Sequence, residues 1–519
     1  MDFDVVIRGG QVVDGTGRRG PFPADVGIRG DRIAAIGSLE GAAAREAVDA
    51  TGRVVAPGFI DVHIHSEIAL LGGPYRYAAL EQGVTTHLMA ADGFGWAPLP
   101  AAAARQMWEN LLFAYGDAEL DLDWPTAESY LACFKGRVPA NLVPQVPHCA
   151  VRFGAMGWAP RPATDAELEV MRATTRQWLE AGAVCLNLGL DYQPSAFADL
   201  RELVELSRLA REYDAIYAAH IRGNLLGTEA AWRETMEIGR QADIPVHISH
   251  SFVTDQTEPL LEEAARICDL TFESYMYPAG ATHLAMVLPI WAQAGGPQGI
   301  RTRLQDPAMR ERLAAELDER LSAVVRAGGS HVFAVTQTGR YVGQTVADAA
   351  REAGLPLGEF AVRVLQEEHP FALMIFHHGA MEERETARRT VRHPKMMVAS
   401  DGVYHGAFSH PRGSGCFARV LRLCVRELGA VSLEQAVHRM SGYPAERFRI
   451  HDRGLVREGL GADLVIFDPA TVADRSTWEQ SRLSPVGIDR VYVNGEPVVV
   501  AGQSTGRLPG RVLRRTARA

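Results

Sequence analysis

The sequence predicts a mixed α/β protein built from a (β/α)8 barrel of the TIM type and a small β-sandwich. Residues 57–446 alternate short apolar strands with helical stretches, whereas residues 1–56 and 447–519 contain short strands separated by turns. Strand–helix alternation over this length is typical of parallel βαβ units. A closed barrel is the simplest fold in which every strand of such units is paired on both sides. We therefore expect the middle of the chain to form the barrel and both ends to share the sandwich.

The terminal segments carry the pattern of short strands. The stretches "DVVIRGGQVVDG", "ADVGIRGDRIAAIG" and "REAVDATGRVVAPG" place Gly-Gly, Gly-Asp and Thr-Gly turns between apolar runs, and "IDRVYVNGEPVVVAG" resumes this style near the end. The middle instead has strands such as "AIYAAHI" and "KMMVASDG", separated by helical runs such as "FADLRELVELSRLAREY". Each part therefore favours a different architecture.

An insertion is expected at about residues 283–350, where the strand–helix rhythm breaks. Here "MVLPIWAQAGG" is followed by the charged helical run "MRERLAAELDERLSAVVRAGG". We expect this segment to be a helical insertion near the barrel mouth. The alternative is a plain connecting helix.

Composition narrows the possible functions. The chain has 519 residues, of which 47% are apolar and 22% charged, as in ordinary soluble domains. Its net charge of −10 argues against a nucleic-acid partner. No stretch reaches the ~18 apolar residues of a membrane span, so we expect no membrane partner. The six cysteines form no CxxC pair, which favours reduced thiols and a cytoplasmic location.

The stretch "PGFIDVHIHSE", residues 57–67, places polar groups on one face of a strand. Because strand side chains alternate, Asp61, His63 and His65 point to the same side, opposite the apolar residues between them. Such a face is costly in a core unless something binds there. The stretch therefore indicates a binding site at a strand end.

Three further candidates lie at the ends of predicted strands. His220 closes "AIYAAHI", His250 closes "IPVHISH", and Asp401 closes "MMVASD". The carboxyl ends of barrel strands meet at one mouth, and imidazole with carboxylate suits Zn²⁺. A single strand-end histidine is more often a core residue, but this ordered set favours a metal site. The remaining histidines considered lack such placement and are expected to be structural or loop residues: His247, His377, His378, His405 and His410.

The motifs "PGFIDVHIH", "HIRG", "ISH" and "ASDG" resemble those of the amidohydrolase superfamily of metal hydrolases. Within it, "GVTTHLMAADGFGWAP", "LDYQPSAFADL" and "HPRGSGCFARVL" resemble the N-acyl-D-amino-acid deacylases (D-aminoacylases), and the similarity runs nearly end to end. The resemblance implies one or two zinc ions, or another divalent metal, with His63 and His65 holding the second ion or shaping the first site. It also implies a small-molecule substrate and possible homo-oligomers.

The sequence departs from that family at a metal position. Family members carry a cysteine in a "GNCGFG"-like turn, but this chain reads "MAADGFG", which puts Asp92 there. A carboxylate can bind or bridge metal ions, so we expect Asp92 to be a ligand. The alternatives are that Asp92 only caps the turn, or that Cys185 is the ligand. A carboxylated lysine bridge is not expected, because Lys135 and Lys395 both precede strands.

A second departure concerns the substrate. The family would place a lysine two residues after the last metal histidine, where this chain has Phe252. Tyr277 and Arg412 match family positions, and Arg412 could bind a carboxylate bidentately unless it only braces a loop. With an apolar wall at Phe252, we expect a ligand that is less anionic or more hydrophobic than a simple N-acyl-D-amino acid.

We expect amide hydrolysis of an N-acyl-D-amino acid or related N-acyl compound. Zinc held chiefly by His220, His250 and Asp92 would lower the pKa of water from 15.7 toward ~7, and metal-bound hydroxide would attack the carbonyl. Asp401 would act as general base and then as general acid, with Tyr277 helping to stabilise the oxyanion. Alternatives are cyclic amide hydrolysis, heterocycle deamination, an amide-forming biosynthetic enzyme and a non-catalytic binding protein.

Overall fold

A computed structural model describes residues 2–118, 120–368, 370, 372–379, 381–406 and 408–515. The strands, numbered in chain order, are β1 (Phe3–Val12), β2 (Phe22–Arg29), β3 (Arg32–Gly37), β4 (Ala44–Asp49), β5 (Val54–Pro57), β6 (Phe59–Asp61), β7 (Ile64–His65), β8 (Val84–Leu88), β9 (Asn141–Val143), β10 (Val146–Pro147), β11 (Cys185–Gly189), β12 (Ile216–His220), β13 (Val246–Ile248), β14 (Leu270–Ser274), β15 (Ala279–His283), β16 (Ser330–Val335), β17 (Leu373–His377), β18 (Met396–Val398), β19 (Gly402–Val403), β20 (Leu464–Phe467), β21 (Ile488–Val493), β22 (Glu496–Val500) and β23 (Gln503–Ser504).

Helices fill most of the intervals between the central strands. They are α1 (Glu67–Leu71), α2 (Ala101–Asn110), α3 (Leu112–Tyr115), α4 (Ala127–Ala132), α5 (His148–Met156), α6 (Asp165–Glu180), α7 (Leu200–Glu212), α8 (Gly223–Leu226), α9 (Thr228–Ala242), α10 (Glu258–Ile267), α11 (Ile290–Gln293), α12 (Gly296–Gln305), α13 (Pro307–Arg326), α14 (Val346–Ala353), α15 (Leu357–Glu367), α16 (Glu383–Arg392), α17 (Arg412–Arg419), α18 (Leu433–Met440) and α19 (Gly442–Arg447), with a π-helical segment at Val420–Glu427. Across the described ranges, no helix combines the length and hydropathy needed to cross a bilayer.

Strands from both ends of the chain share one sheet. Its order is β23-β22-β21-β20-β5-β1-β2-β3, and β4 pairs in parallel with β1. The two ends join where β5 pairs antiparallel with β20. Val5, Ile7 and Leu464 belong to a common apolar cluster on this sheet. The N- and C-terminal strands are therefore packed together.

The central strands pair in parallel. One ladder runs β10-β11-β12-β13-β14-β18, a second runs β6-β8-β9, and β7 pairs with β19. Because β6 and β7, β9 and β10, and β18 and β19 each lie close together in the chain, the ladders connect through these short segments. The last segment lies beside the first, since Asp401 N–H donates to the His63 carbonyl at 2.8 Å. The carboxyl ends of the first and last strand segments thus lie side by side.

The interval between β14 and β18 contains an antiparallel sheet as well as helices. Its order is β15-β17-β16, and α13 lies between β15 and β16 in the chain. This sheet extends beyond the expected interval of about 283–350, because β15 begins at Ala279 and β17 ends at His377. The strand β17, "LMIFH", is as apolar as a central strand, so its sequence does not mark it as part of an insertion.

Candidate metal centre and active-site cavity

The first histidine pair lies where the strand alternation predicted. Ile60 and Val62 are buried in an apolar cluster, while His63 and His65 are 1% and 4% exposed and face acidic side chains. Asp61 lies on the polar face but serves the backbone, because its Oδ1 accepts the Ser400 N–H at 3.0 Å. On this polar face, Asp61 therefore has a structural role, and His63 and His65 are the candidate ligands.

The five predicted metal ligands and the predicted catalytic Asp401 lie close together and are called here the donor cluster: His63, His65, Asp92, His220, His250 and Asp401. The nitrogen His65 Nε2 lies 3.3 Å from Asp401 Oδ1 and 3.6 Å from Asp92 Oδ2. The nitrogen His63 Nε2 lies 3.3 Å from Asp92 Oδ1 and 3.7 Å from Asp401 Oδ1. One side of the cluster therefore joins two imidazoles with two carboxylates.

The other side of the donor cluster is formed by His220 and His250. The ring nitrogens His220 Nδ1 and His250 Nε2 are 2.9 Å apart, and each lies 3.7 Å from Asp92 Oδ1. Two imidazole nitrogens and a carboxylate oxygen thus point toward one small volume. The two oxygens of Asp92 therefore face different histidines, with Oδ1 toward this pair and His63, and Oδ2 toward His65.

Two buried acids that the sequence analysis did not identify orient these histidines. Asp191 Oδ2 lies 3.1 Å from His220 Nε2 and accepts the Asn224 N–H at 3.0 Å. Glu273 Oε1 lies 3.0 Å from His63 Nδ1. A carboxylate at one ring nitrogen fixes the tautomer and leaves the other nitrogen available to a metal. Asp191 and Glu273 lie at or just after the ends of strands, and this position is the sequence feature that could have identified them as site residues.

The donor atoms fit a divalent cation. Within the described residues, His63 Nε2 and Asp92 Oδ1 are buried without any hydrogen bond of acceptable geometry. Buried polar atoms without partners are rare, because each costs desolvation free energy. The candidate ligand atoms of His63, Asp92 and His250 all lie within 4.8 Å of one another, as do those of His63, His65 and Asp401. Nitrogen and carboxylate oxygen at this spacing suit zinc and similar ions.

The turn after β8 holds Asp92 in place. Asp92 and Ala90 have positive φ values of 55° and 62°, a left-handed conformation that aspartate tolerates better than most residues. The Ala90 N–H donates to the buried carboxylate of Glu67. The fallback ligand Cys185 instead belongs to an apolar cluster that includes Ile216 and lies outside both donor groups. The geometry therefore favours Asp92 over Cys185.

Electrostatics keep the cluster carboxylates ionised. Burial alone would raise the pKa of Asp401, but the field of Arg412 and a hydrogen bond from His65 outweigh burial and lower it below the usual range. Burial likewise opposes ionisation of Asp92, and the field of His63 more than compensates, so its pKa is also lowered. Both acids are therefore anionic ligands or bases at neutral pH.

A cavity of about 300 Å³ opens onto the donor cluster, with His65, Asp92, His220, His250 and Asp401 in its wall. None of the expected substrate-binding residues is part of this wall as the structure describes it. Arg412 is fully buried, with Nη2 2.7 Å from Asp401 Oδ2 and its guanidinium 4.3 Å above the Tyr275 ring. Phe252 packs edge-on against the same ring at 5.5 Å.

Tyr275 lines the cavity, whereas Tyr277 does not. The Tyr277 ring packs against His410 at 5.3 Å and Trp478 at 6.5 Å, behind the cavity wall. Of the two tyrosines, the structure therefore places Tyr275, and not the expected Tyr277, in the cavity wall. Both follow β14, which ends at Ser274, so the alternation of a strand no longer decides which side chain faces the mouth.

The other histidines make structural contacts outside the two donor groups. His247 Nδ1 lies 2.7 Å from Thr271 Oγ1, and His410 Nε2 donates to the Ala279 carbonyl at 2.9 Å. The rings of His377 and His378 pack against Trp478 and Phe376, and His405 contacts the Phe113 carbonyl.

Comparison with known proteins identifies the class. The model of the Amidohydrolase family matches residues 46–499. A D-aminoacylase of Alcaligenes xylosoxydans xylosoxydans is 35% identical over 527 residues, which cover 99% of this chain and 98% of the relative. The N-acyl-D-glutamate deacylase of the same organism is 34% identical over 526 residues, 99% of this chain and 97% of the relative. The chain therefore belongs to the amidohydrolase family.

A solved structure has the same fold. The N-acyl-D-glutamate deacylase from Bordetella bronchiseptica, complexed with zinc and a phosphonate mimic of the tetrahedral intermediate, matches with a TM-score of 0.82 at 34% identity, covering 99% of this chain and 100% of that one. The predicted mixed α/β class and the resemblance to D-aminoacylases are thus confirmed. Within the family, the similarity is to its D-aminoacylase branch.

Proposed function

We propose that the protein is a metal-dependent hydrolase of an amide-type carbon–nitrogen bond, acting on an N-acyl-D-amino acid or a related N-acyl compound. The observation that carries this proposal is the convergence of four imidazoles and two carboxylates in the donor cluster, of which all but His63 line one cavity. Full-length similarity to D-aminoacylase and to N-acyl-D-glutamate deacylase supports the substrate class.

Zinc is the proposed metal, because the related Bordetella enzyme was solved with zinc and because the donor set suits it. His220 Nδ1, His250 Nε2 and Asp92 Oδ1 would hold one ion. His63, His65 and Asp401 would hold a second or shape the first site. When bound, such an ion makes water more acidic and polarises a carbonyl oxygen.

Asp401 is the proposed base. Its carboxylate faces the cavity, is kept ionised, and is held by Arg412 at 2.7 Å. It accepts the proton of the attacking water and returns that proton to the departing nitrogen, which leaves as an amine. Arg412 orients Asp401 in this scheme, because its guanidinium is buried and already paired. The alternative role of Arg412, a direct grip on the substrate carboxylate, would require it to release Asp401.

Tyr275 is the proposed donor to the developing oxyanion. Burial raises the pKa of Tyr275, so its hydroxyl keeps its proton at neutral pH. The ring is held between Arg412 and Phe252, which restricts its orientation. A fixed donor in a cavity is worth more than one in water, because little reorganisation is needed during the reaction.

The parallel pairings support a closed (β/α)8 barrel for residues 57–446. In this proposal the segments containing β6 and β7, β9 and β10, and β18 and β19 are single barrel strands, and β7–β19 pairing closes the ring. Residues 1–56 and 447–519 would then form the β-sandwich, and the β15-β17-β16 sheet with its helices would be the insertion near the mouth.

The test is metal analysis of the purified protein together with a substrate screen. We expect bound zinc, activity on N-acyl-D-amino acids above that on N-acyl-L-amino acids, dipeptides and cyclic amides, and loss of activity after chelation that zinc restores. Full activity of the metal-free protein would overturn the proposal. Faster turnover of cyclic amides would assign the chain to that alternative reaction.

A further inference from the structure

The cavity wall opposite the donor cluster comes from the segment between β14 and β18. Its six larger apolar side chains form what we call the insertion wall: Met286, Val287, Leu321, Val324, Met374 and Phe376. Charge within such a wall is screened less than charge facing open water, because apolar neighbours exclude solvent. Any fixed charge on this side therefore has a large influence on which substrates bind.

Arg320 is a solvent-exposed side chain that adds a positive charge to this wall. It lies on α13, next to Leu321 of the insertion wall, and is the only arginine or lysine lining the cavity in the described ranges. The other basic side chains do not replace it. Burial lowers the pKa of the cavity-lining His331 to about 4, so that imidazole is neutral at pH 7. Arg412 is buried against Asp401 and outside the cavity wall.

The guanidinium of Arg320 is positioned at the cavity and available to a ligand. Its Nη1 lies 3.5 Å from the Val287 carbonyl, too long for a strong hydrogen bond. No carboxylate of the described residues lies within 4.0 Å of it. Glu316, one turn earlier on α13, is already paired with Arg312 at 2.9 Å. The cationic group thus faces a cavity whose two lining acids, Asp92 and Asp401, belong to the donor cluster.

We propose that Arg320 binds a carboxylate of the substrate and thereby sets a preference for anionic N-acyl compounds. The inference rests on the proposed function, since that class of substrate carries a carboxylate. A guanidinium binds carboxylate through two parallel N–H donors. It also revises the expectation drawn from Phe252, because the charge missing at that position is supplied from the insertion instead.

The carboxylate could be the α-carboxylate or one on the side chain, and paired substrates distinguish the two. N-acetyl-D-leucine is compared with N-acetyl-D-leucinamide, and N-acetyl-D-glutamate with N-acetyl-D-glutamine. For each pair, the ratio of kcat/KM for the acid to kcat/KM for the amide reports recognition of one carboxylate. The zinc-loaded wild type is measured beside Arg320→Gln, Arg320→Lys and Arg326→Gln. Arg326 is the control, because it is exposed on the same helix and does not line the cavity.

Arg320→Gln is expected to lower the ratio about fivefold for one pair, through KM, which is the upper end of the range for an exposed charge pair. Arg320→Lys should recover part of the loss, and Arg326→Gln should leave both ratios within twofold of wild type. Unchanged ratios for both pairs in Arg320→Gln would overturn the proposal while leaving the hydrolase function intact. An equal drop in Arg326→Gln would also overturn it, by showing only a general effect of charge. Wild-type protein that binds zinc but hydrolyses none of the four compounds would overturn the proposed function and this proposal together.

Discussion

Asp191 Oδ2 lies 3.1 Å from Nε2 of His220, and this contact determines which ring nitrogen of that histidine is available to a metal. Because the carboxylate accepts the Nε2–H, Nδ1 carries the lone pair and lies beside His250 Nε2 at 2.9 Å. Asp191 is 2% exposed and also accepts the Asn224 N–H. The acid is therefore held rigidly while it orients the histidine.

Asp191→Asn should weaken zinc binding about 10- to 100-fold, the range for loss of a carboxylate behind a metal histidine. The amide can present its NH₂ group to Nε2 and so favour the wrong tautomer. Competition with a chromogenic chelator measures the zinc Kd directly. Asp255→Asn, an exposed acid paired with Arg389, is the matched control and should bind zinc as wild type does. Equal affinities in wild type and Asp191→Asn would contradict the orienting role.

Asp401→Asn should lower kcat about 10²- to 10⁴-fold, because it removes the proposed general base. Zinc bound through His220, His250 and Asp92 should remain, which metal analysis checks. The variant also leaves Arg412 buried without its partner, at a cost of about 3–5 kcal/mol in the free energy of unfolding.

Arg412→Met separates the catalytic effect of Asp401 from its effect on stability. If the two side chains are coupled, the double variant with Asp401→Asn should be less destabilised than the sum of the single variants. Turnover of Asp401→Asn near the wild-type rate would show that another group is the base.

Tyr275→Phe should lower kcat about 10²-fold with little change in zinc content, as expected for loss of a donor to the oxyanion. Tyr277→Phe is the informative comparison, because its ring packs against Trp478 behind the cavity wall. We expect it to change kcat less than threefold. Steady-state kinetics of both variants test the assignment, and a larger loss in Tyr277→Phe would reverse it.

The buried ion pair of Glu202 with Arg152 should make the fold sensitive to acid. Burial alone would raise the pKa of Glu202, but a hydrogen bond from His148 and the field of Arg152 lower it below the ordinary value of 4.5. A carboxyl whose pKa is lower in the folded state contributes stability above pH 4.5 and loses that contribution as the pH falls through its folded pKa.

Glu202→Gln should therefore lower Tm at pH 7 by breaking the pair, a change worth about 3–5 kcal/mol. Below pH 4.5 its Tm should approach that of the wild type. Thermal unfolding from pH 7 to pH 3 checks this, with Glu263→Gln, at the half-buried partner of Arg233, as control. A constant difference in Tm across that range would contradict the assignment.

Strand periodicity accounts for much of the candidate site. The alternation in "DVHIH" predicted that His63 and His65 share one face, and the strand-end rule predicted that His220, His250 and Asp401 lie near them. The structure brings these side chains into one cluster. Strand alternation could not show the role of Asp61, because that role depends on a hydrogen bond from the Ser400 N–H of a distant segment. Local sequence patterns predict which face of a strand a side chain lies on, whereas tertiary contacts determine which group it binds.

The features that sequence reasoning missed depend on contacts between distant segments. Asp191 and Glu273 look like any acid near the end of a strand until the folded chain places each beside a histidine. The cavity-facing Tyr275 was not among the candidates, and strand alternation does not identify it because it lies beyond the end of β14. Arg320 sits in a charged helical run whose sequence gives no sign that one member faces a cavity.

The hydrogen bond from Asp401 N–H to the His63 carbonyl has a consequence for biosynthesis. A ribosome delivers His63 early and Asp401 late, so the half-made chain carries the histidine pair without the acid beside it. A nascent fragment that ends before Asp401 therefore lacks the proposed base, and the donor cluster is complete only after most of the polypeptide has emerged.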